Sequence, residues 1–465
     1  MLLVQCGLLE KGGPAMRVIK KSEEAINSKN LPPLSRLYLQ GNAATPQVLL
    51  RALAEADDIR DIEAISVFLL GEVGSLFDEK ACQRITHRVI FSGPHARQAL
   101  NSGKAKYQLI HLSDIPRQVR QHLRPNVAII SVSGPDHGGN FSLGTTVEGV
   151  LAAVETVKQQ GGIVIAERNV NMPFVLGTTI PSAWIDYLMD VDYPLPASPV
   201  KQPDDIAKKI GRMIAERFIR DGSTLQYGIG EVPEAVTDAI LDLGIKDLGI
   251  NTELFASAMR KLVVQGAVNN RYLPHRFSIA SIFLAGDQGE YDWMNFNSSV
   301  QSRPCDYTNS LTRLASLPRM VSINAAIGVD LHGNIWADSL HARKIYSGVG
   351  GQCDFLRGAY LSEGGVPIIA MKSVTSRGQS KILDKCPEGI TTTAISADPV
   401  IVVTENGCFD PRGLSMGEHA VGIAHLAVEE ERDALLKHIY DSEKFHKPRE
   451  ALKDGHPKGF TPMNP

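Results

Sequence analysis

Three glycine clusters stand where strands should end, which is the place where open α/β sheets hold their ligands. The first is LQYGIGEVP, residues 225–233, with helical spacing behind it over residues 234–241. Gly228 and Gly230 carry no side chain, so a ligand can approach the main-chain amides of Gly228, Ile229, Gly230, Glu231 and Val232, and the following helix offers free N–H groups to an anion. A dinucleotide fingerprint would need a third glycine where Pro233 stands, which argues against a Rossmann site. The second cluster, SGVGGQCDF over residues 347–355, brings Gly348, Gly350 and Gly351 close together. It fits either of two roles: amides aimed at a developing oxyanion, as acyl transfer requires, or a tight turn with close backbone packing. The third, GPDHGG over residues 134–139, reads equally as a loop facing a cleft and as a plain turn with a solvated His137. No Gly-Lys-Ser or Gly-Lys-Thr triplet occurs, so P-loop ATP chemistry is not supported. GLSMG at residues 413–417 matches the serine-hydrolase pattern, but no strand ends directly before it and little sheet remains downstream, so a nucleophile elbow is not expected.

These loops need sheets to hang from. From residue 31 to residue 193, apolar β-rich runs alternate with helical patterns, which indicates βαβ units and a mostly parallel sheet. Residues 64–69, 127–132 and 163–166 read as strands. Residues 45–56 read as a helix with Thr45 as N-cap, Pro46 at the first helical position and Leu49, Leu50 and Leu53 buried; residues 146–159 read as another. The four prolines of residues 190–205 mark a linker. A helix follows over residues 204–217, with Ile206, Ile210, Met213 and Ile214 at helical spacing, and the alternation then resumes to residue 440. The expected organisation is an N-terminal α/β domain over residues 16–195, a C-terminal α/β domain over residues 204–445, and a Lys-, Pro- and Gly-rich tail over residues 446–465 that packs on the surface or stays mobile.

The bulk numbers agree with two domains and a small-molecule substrate. A chain of 465 residues exceeds one ordinary core. A net charge of −3 without any long block of Lys and Arg argues against nucleic acid or anionic membrane as a partner. The six cysteines are scattered, with no CxxC pair and no histidine at ligand spacing, so reduced thiols in a cytoplasm and no metal site are expected. The N-terminal apolar stretch lacks a basic leader and has Glu10 and Lys11 behind it, a poor signal peptide; Met16 is an alternative start. No apolar run approaches the ~20 residues of a membrane span.

Eight motifs occur in order: GNAATP (41–46), VSGPDHGGNFSLG (132–144), VIAERNVNMP (164–173), LQYGIGEVPEAV (225–236), LGINTELF (248–255), VSINAAIGVDLHGNIWADS (321–339), GVGGQCDFLRGA (348–359) and VTENGCFDPRG (403–413). Together they resemble the acetyl-CoA hydrolase/transferase family, and within it the 4-hydroxybutyrate and butyrate CoA-transferases, over residues 41–436. The resemblance implies two open α/β domains of the CoA-transferase type with the active site in the cleft between them. It implies Glu253 as the nucleophile, a CoA-binding loop from Gly228 to Val232, and further CoA contacts at Asn324, Gly348 and Lys372. By the same resemblance, CoA and acyl-CoA are substrates rather than a permanent cofactor, small carboxylic acids are the other partners, and the chain forms a homodimer or higher oligomer.

The implied chemistry exchanges CoA between acids through a glutamyl-CoA thioester. The acids in view are 4-hydroxybutyrate, butyrate, acetate or a dicarboxylate such as succinate or itaconate. The dicarboxylate enters because relatives carry histidine where this chain has Asn251, Ser-Asp-Gly where it has Ala256, Ser257 and Ala258, and tyrosine where it has Asn406, which reads as an altered pocket edge. Glu405, Asn406 and Gly407 look like the nucleophile segment of the ketoacid CoA-transferases, so Glu405 is a rival, with lining of the site as its favoured role. An acyl-CoA hydrolase using the same glutamate and a catalytically silent CoA-binding protein are the alternatives.

Overall fold

The computed structural model describes residues 16–341, 344–445 and 457–463. The expectations for the N-terminal stretch, and for the tail over residues 446–456 and 464–465, lie outside the described residues.

Two open sheets organise the chain. The first has eight strands, all parallel. From edge to edge it runs Arg17–Ile19, Tyr187–Val191, Ile163–Asn169, Val127–Val132, Arg36–Leu39, Ile62–Ser66, Ile85–Val89 and Ala105–Tyr107. Every residue of Val127–Val132 is buried, as a central parallel strand covered on both faces requires. Chain order reverses between Arg36–Leu39 and Val127–Val132.

The second sheet has seven strands. Gly249–Ile250, Thr224–Tyr227, Met320–Asn324, Val366–Ala370 and Ile401–Thr404 are parallel, and Gly407–Phe409 and Phe460–Pro462 close the edge antiparallel. Its order reverses between Thr224–Tyr227 and Met320–Asn324, so a crevice opens beyond the carboxyl ends of those two strands. Phe460–Pro462 falls in the stretch read as a tail; it instead supplies the main-chain partners that the exposed edge of Gly407–Phe409 needs.

Long-range partners decide where several helices begin. Gln47–Glu55 buries Leu49, Leu50 and Leu53, as its spacing predicts. Thr45 is not its cap, because the Thr45 hydroxyl donates to Asn42 O at 2.7 Å and accepts from Leu70 N at 3.1 Å. The first-turn amides of Gln47 and Leu49 are taken by Tyr193 Oη at 3.1 Å and Glu167 Oε1 at 2.6 Å, groups more than a hundred residues away. The helix expected over residues 146–159 starts only at Val150, as Val150–Gln159. Residues 145–148 are drawn instead into backbone bonds with the second half: Val147 N donates to Ser281 O at 2.9 Å and Phe283 N to Thr145 O at 2.8 Å.

Asp205–Phe218 starts behind Asp204, whose carboxylate accepts from Ala207 N at 2.9 Å. Ile210, Met213 and Ile214 are buried on it, whereas Ile206 turns outward. The helix read over residues 234–241 is longer, Glu231–Asp242, and springs from Gly230 at φ 127°, a conformation open to glycine without strain. The segment before Asp204 is packed down: Leu195 is buried, Tyr291 Oη donates to Pro196 O at 2.6 Å and Ser198 N to Ala285 O at 2.8 Å.

Ile129 is wholly enclosed at the centre of the first sheet. Ile129→Ala is expected to lower stability by about 2–5 kcal/mol through lost burial and a residual cavity, read as a lower urea midpoint of the first unfolding transition.

Candidate active site

The reversal point of the second sheet opens into a cleft of about 840 Å³, within the size range of small-molecule sites. Gly228, Ile229 and Gly230 form its lip. A Cβ on Gly228 would meet nothing within 4 Å, so that position is open to the cleft, and Ile229 is 50% exposed, an apolar side chain waiting at the rim. Glu231 and Val232 line the cleft from the first turn of Glu231–Asp242. Across from them, Asn324 ends its strand in a reciprocal amide pair with Gln226: Asn324 Nδ2 donates to Gln226 Oε1 at 3.1 Å, and Gln226 Nε2 donates to Asn324 Oδ1 at 3.4 Å. Each amide nitrogen carries a second hydrogen beyond that pair. Lys372 also lines the cleft, with Nζ 2.6 Å from Asp204 Oδ2 and 2.7 Å from Glu231 Oε2. Its hydrogen bonds to Asp204 and Glu231 raise its pKa and hold it charged.

Glu253 sits between Gly249–Ile250 and Leu254–Ala256, with its main chain pinned from the neighbouring segment. Its carbonyl oxygen accepts from Ser281 N at 3.1 Å, Ser281 Oγ at 3.1 Å and Ile282 N at 2.9 Å. The residue is half-buried on the wall of the cleft. Oε2 accepts from Asn309 Nδ2 at 3.0 Å. Gly351 comes so close that a Cβ there would lie 1.9 Å from Oε2 and 2.1 Å from Asn309 Nδ2. Burial pushes the Glu253 pKa up to about 7, against the pull of the Asn309 amide; the Asp354 charge raises it further and the Gly351 N–H lowers it.

The glycine loop over residues 348–351 is a tight turn with close backbone packing. Gly348 is packed against the first half, where a Cβ would come within 2.8 Å of Ile90 O and 2.7 Å of the Phe91 ring. Gly350, at φ 62°, turns the chain so that Gly351 meets the carboxyl of Glu253. The first half reaches this loop at several points: Leu112 N donates to Gly350 O at 3.0 Å, and Ser113 Oγ and N donate to Asp354 at 2.8 and 3.2 Å. Phe91 lines the cleft, held edge-on by Phe68 at a centroid distance of 5.5 Å.

The residues read from the sequence as nucleophile, CoA contacts and glycine loop, Glu253, Gly228, Ile229, Gly230, Glu231, Val232, Asn324, Gly348, Gly350, Gly351 and Lys372, all border this one cleft. Asn309 and Asp354 were missed. Asp354 lies inside a recognised motif, but Asn309 lies in none, and only the fold brings it to Glu253.

Other expectations are corrected. Glu405 does not line the cleft; its carboxylate accepts from Ser373 N and the Ser373 hydroxyl, fixing the turn after Lys372 from behind. Asn251 is fully buried, donating to Thr308 O at 2.9 Å and accepting from Arg313 Nε at 3.3 Å, and Asn406 Nδ2 donates to Leu426 O at 2.9 Å. Neither they nor Ala256, Ser257 and Ala258 border the cleft, so these departures are not altered pocket edges. The third glycine cluster is a plain turn in which Asp136 Oδ1 accepts from the amides of Gly138 and Asn140, with His137 exposed. Ser415 caps the helix Met416–Ala424 in a capping box with Glu418. Cys82, Cys305, Cys353, Cys386 and Cys408 carry free thiols. Among the described residues no group of acidic, His and Cys side chains is disposed to hold a metal, and no helix is long and apolar enough to cross a membrane.

Known proteins resemble this chain along most of its length. The acetyl-CoA hydrolase/transferase N-terminal domain matches residues 16–197, and the C-terminal domain of the same family matches residues 286–439. A 4-hydroxybutyrate coenzyme A transferase of Clostridium kluyveri is 34% identical over 407 residues, covering 86% of this chain and 93% of its own. A succinyl-CoA:acetate/propanoyl-CoA:succinate CoA transferase of Fasciola hepatica is 33% identical over 414 residues, covering 88% of this chain and 85% of its own. The crystal structure of RipA from Yersinia pestis superposes with a TM-score of 0.83 at 28% identity, covering 92% of this chain and 98% of that one. Matched in both halves and along most of its length, the chain belongs to the acetyl-CoA hydrolase/transferase family.

Proposed function

We propose that the protein is a CoA-transferase that passes CoA between small carboxylic acids through a thioester on Glu253. The observation that carries this reading is the half-buried carboxyl of Glu253 set against the Gly351 main chain, on the wall of a cleft large enough for a pantetheine arm. Family membership and the CoA transferases among the relatives support it.

In this scheme Glu253 attacks the thioester carbonyl of an acyl-CoA, forming a mixed anhydride and releasing CoA thiolate. The thiolate attacks the glutamyl carbonyl, so the first acid leaves as its carboxylate and glutamyl-CoA remains. The incoming carboxylate attacks that thioester and expels the thiolate, which then takes the new acyl group and restores the Glu253 carboxylate. A carboxylate is a weak nucleophile in water; burial, a fixed backbone and near-attack alignment supply what it lacks. Each step passes through a tetrahedral oxyanion, for which Asn324 Nδ2 and the amides of residues 348–351 are the available donors. Gly228 to Val232 and Lys372 are assigned to the CoA moiety, with Ile229 against its apolar arm. The positions that differ from relatives lie away from the cleft and give no ground for preferring a dicarboxylate.

The family description also covers hydrolysis, and water in place of the second acid would make the same glutamate a hydrolase. CoA release from acyl-CoA without any acceptor acid favours that reading; exchange that requires an acceptor favours transfer.

Glu253→Ala is expected to abolish exchange between acyl-CoA and acids, measured by mass spectrometry of the CoA products. Sodium borohydride is expected to inactivate the wild type only after incubation with acyl-CoA, since only then is there a thioester to reduce; inactivation without donor sinks the scheme. Because Glu253 must be ionised to attack and burial pushes its pKa up to about 7, the acid limb of the kcat/KM profile is expected to rise by about tenfold per pH unit toward neutrality. Gly351→Ala places a methyl on the Glu253 carboxyl and is expected to lower kcat by about 10²-fold or more with the fold retained by circular dichroism.

A further inference from the structure

The first sheet has a reversal point of its own, between Arg36–Leu39 and Val127–Val132, and the segment leading to Glu148 closes it. Gln40 holds that closure: Nε2 donates to Leu143 O at 3.0 Å and Thr146 O at 2.7 Å, and Oε1 accepts from Ser131 N at 2.6 Å. Glu148 lies sealed inside at 0% exposure; neither carboxyl oxygen makes a hydrogen bond of good geometry, and the polar group set against it is the Tyr38 hydroxyl. That hydroxyl, 2.7 Å from where a Cβ on Gly149 would stand, likewise lacks a well-formed hydrogen bond and interacts only loosely with Glu148. No substrate can reach so closed a place, and an ionised carboxylate without partners is costly there, whereas a protonated one is tolerated.

This closed crevice is joined directly to the nucleophile. Glu148 N and Val147 N both donate to Ser281 O, at 3.4 and 2.9 Å, and the amide and hydroxyl of the same Ser281 hold the Glu253 carbonyl oxygen. On the other side Cys305 N donates to Glu148 O at 3.1 Å. We propose that Glu148 is a positioning residue that keeps its proton while Glu253 ionises, so that the buried pair carries one negative charge through the reaction and not two. This rests on the reading of Glu253 as nucleophile.

Glu253 reaches the cleft and accepts from Asn309 Nδ2, whereas Glu148 is wholly sealed, so the nucleophile loses its proton first; burial lifts Glu148 up to about 8, with the Glu253 charge adding to the shift and the Tyr38 hydroxyl opposing it. The other groups facing Glu148 stay neutral near pH 7, because burial raises both Tyr38 and Cys305 well above their ordinary values. Among the charges on nearby elements, Arg120 is paired with Glu155 and Asp306, and Asp354 is held by Ser113. Raising the pH past the Glu148 pKa then puts a second buried negative charge beside Glu253, and it opposes the thiolate and every tetrahedral oxyanion formed there.

The test is the pH profile of kcat/KM for wild type and Glu148→Gln, with the infrared absorption of protonated carboxyls followed in the substrate-free protein. In the wild type, kcat/KM should fall by about tenfold per pH unit on the alkaline side; in Glu148→Gln that fall should vanish while the acid limb set by Glu253 stays in place. The infrared titration should show a protonated carboxyl that survives the ionisation of Glu253 and disappears at higher pH, and Glu148→Gln should lack it. An alkaline limb unchanged in Glu148→Gln overturns the proposal, as does a wild-type spectrum with no protonated carboxyl once Glu253 has ionised. The infrared titration of the wild type decides the matter alone if Glu148→Gln does not fold. If Glu253→Ala remains active, the nucleophile assignment itself fails; if Glu253→Ala is dead and the Glu148→Gln profile matches wild type, only the role of Glu148 falls.

Discussion

A carboxyl group taken out of water and set against a main chain with no side chain to spare is the constraint around which this protein is arranged. Glu253 needs enough burial to be stripped of solvent and enough hydrogen bonding to remain ionisable near neutral pH. Asn309 and the Gly351 amide supply the second requirement, and Gly351 can do so only because a Cβ would overlap the carboxyl oxygen. The glycine at position 351 and the acid at position 253 are thus one unit, although about a hundred residues separate them.

That unit depends on contact between the two halves of the chain. The second sheet supplies the crevice, the loop at residues 228–230 and the strand end at Asn324. The first half fixes how the crevice is walled. Leu112 and Ser113 hold the glycine loop and the helix after it, Ile90 and Phe91 press on Gly348, and residues 145–148 brace the segment behind Glu253. The same bracing explains why the helix Val150–Gln159 starts late: the residues that could have formed its first turn are spent on main-chain bonds across the seam.

Charge is distributed unevenly along the cleft. Lys201, Lys372 and Lys381 line it together with Asp204 and Glu231, and Lys372 bridges the two acids. Glu253 lines it too, and burial raises the pKa of Glu253 as it does that of Asp354 and Glu148, which lie off the cleft.

The sequence by itself determined the alternating α/β character, the central strand Val127–Val132, the apolar face of Gln47–Glu55 and the motifs that carry the family. It also determined the glycines that border the cleft, because a backbone that must approach another group closely leaves a mark in residue type, and, through the family motifs, the two glutamates Glu231 and Glu253. Tertiary structure alone decided what each group meets. Asn309 gave no signal because its partner is 56 positions away; Thr45 looked like a helix cap because local rules cannot see Glu167 or Tyr193 arriving from elsewhere. Asn251 and Asn406 read as pocket edges, yet they point into packed interior. Side-chain chemistry is written residue by residue, but burial, which sets both the pKa of Glu253 and the isolation of Glu148, exists only once the two halves have closed on each other.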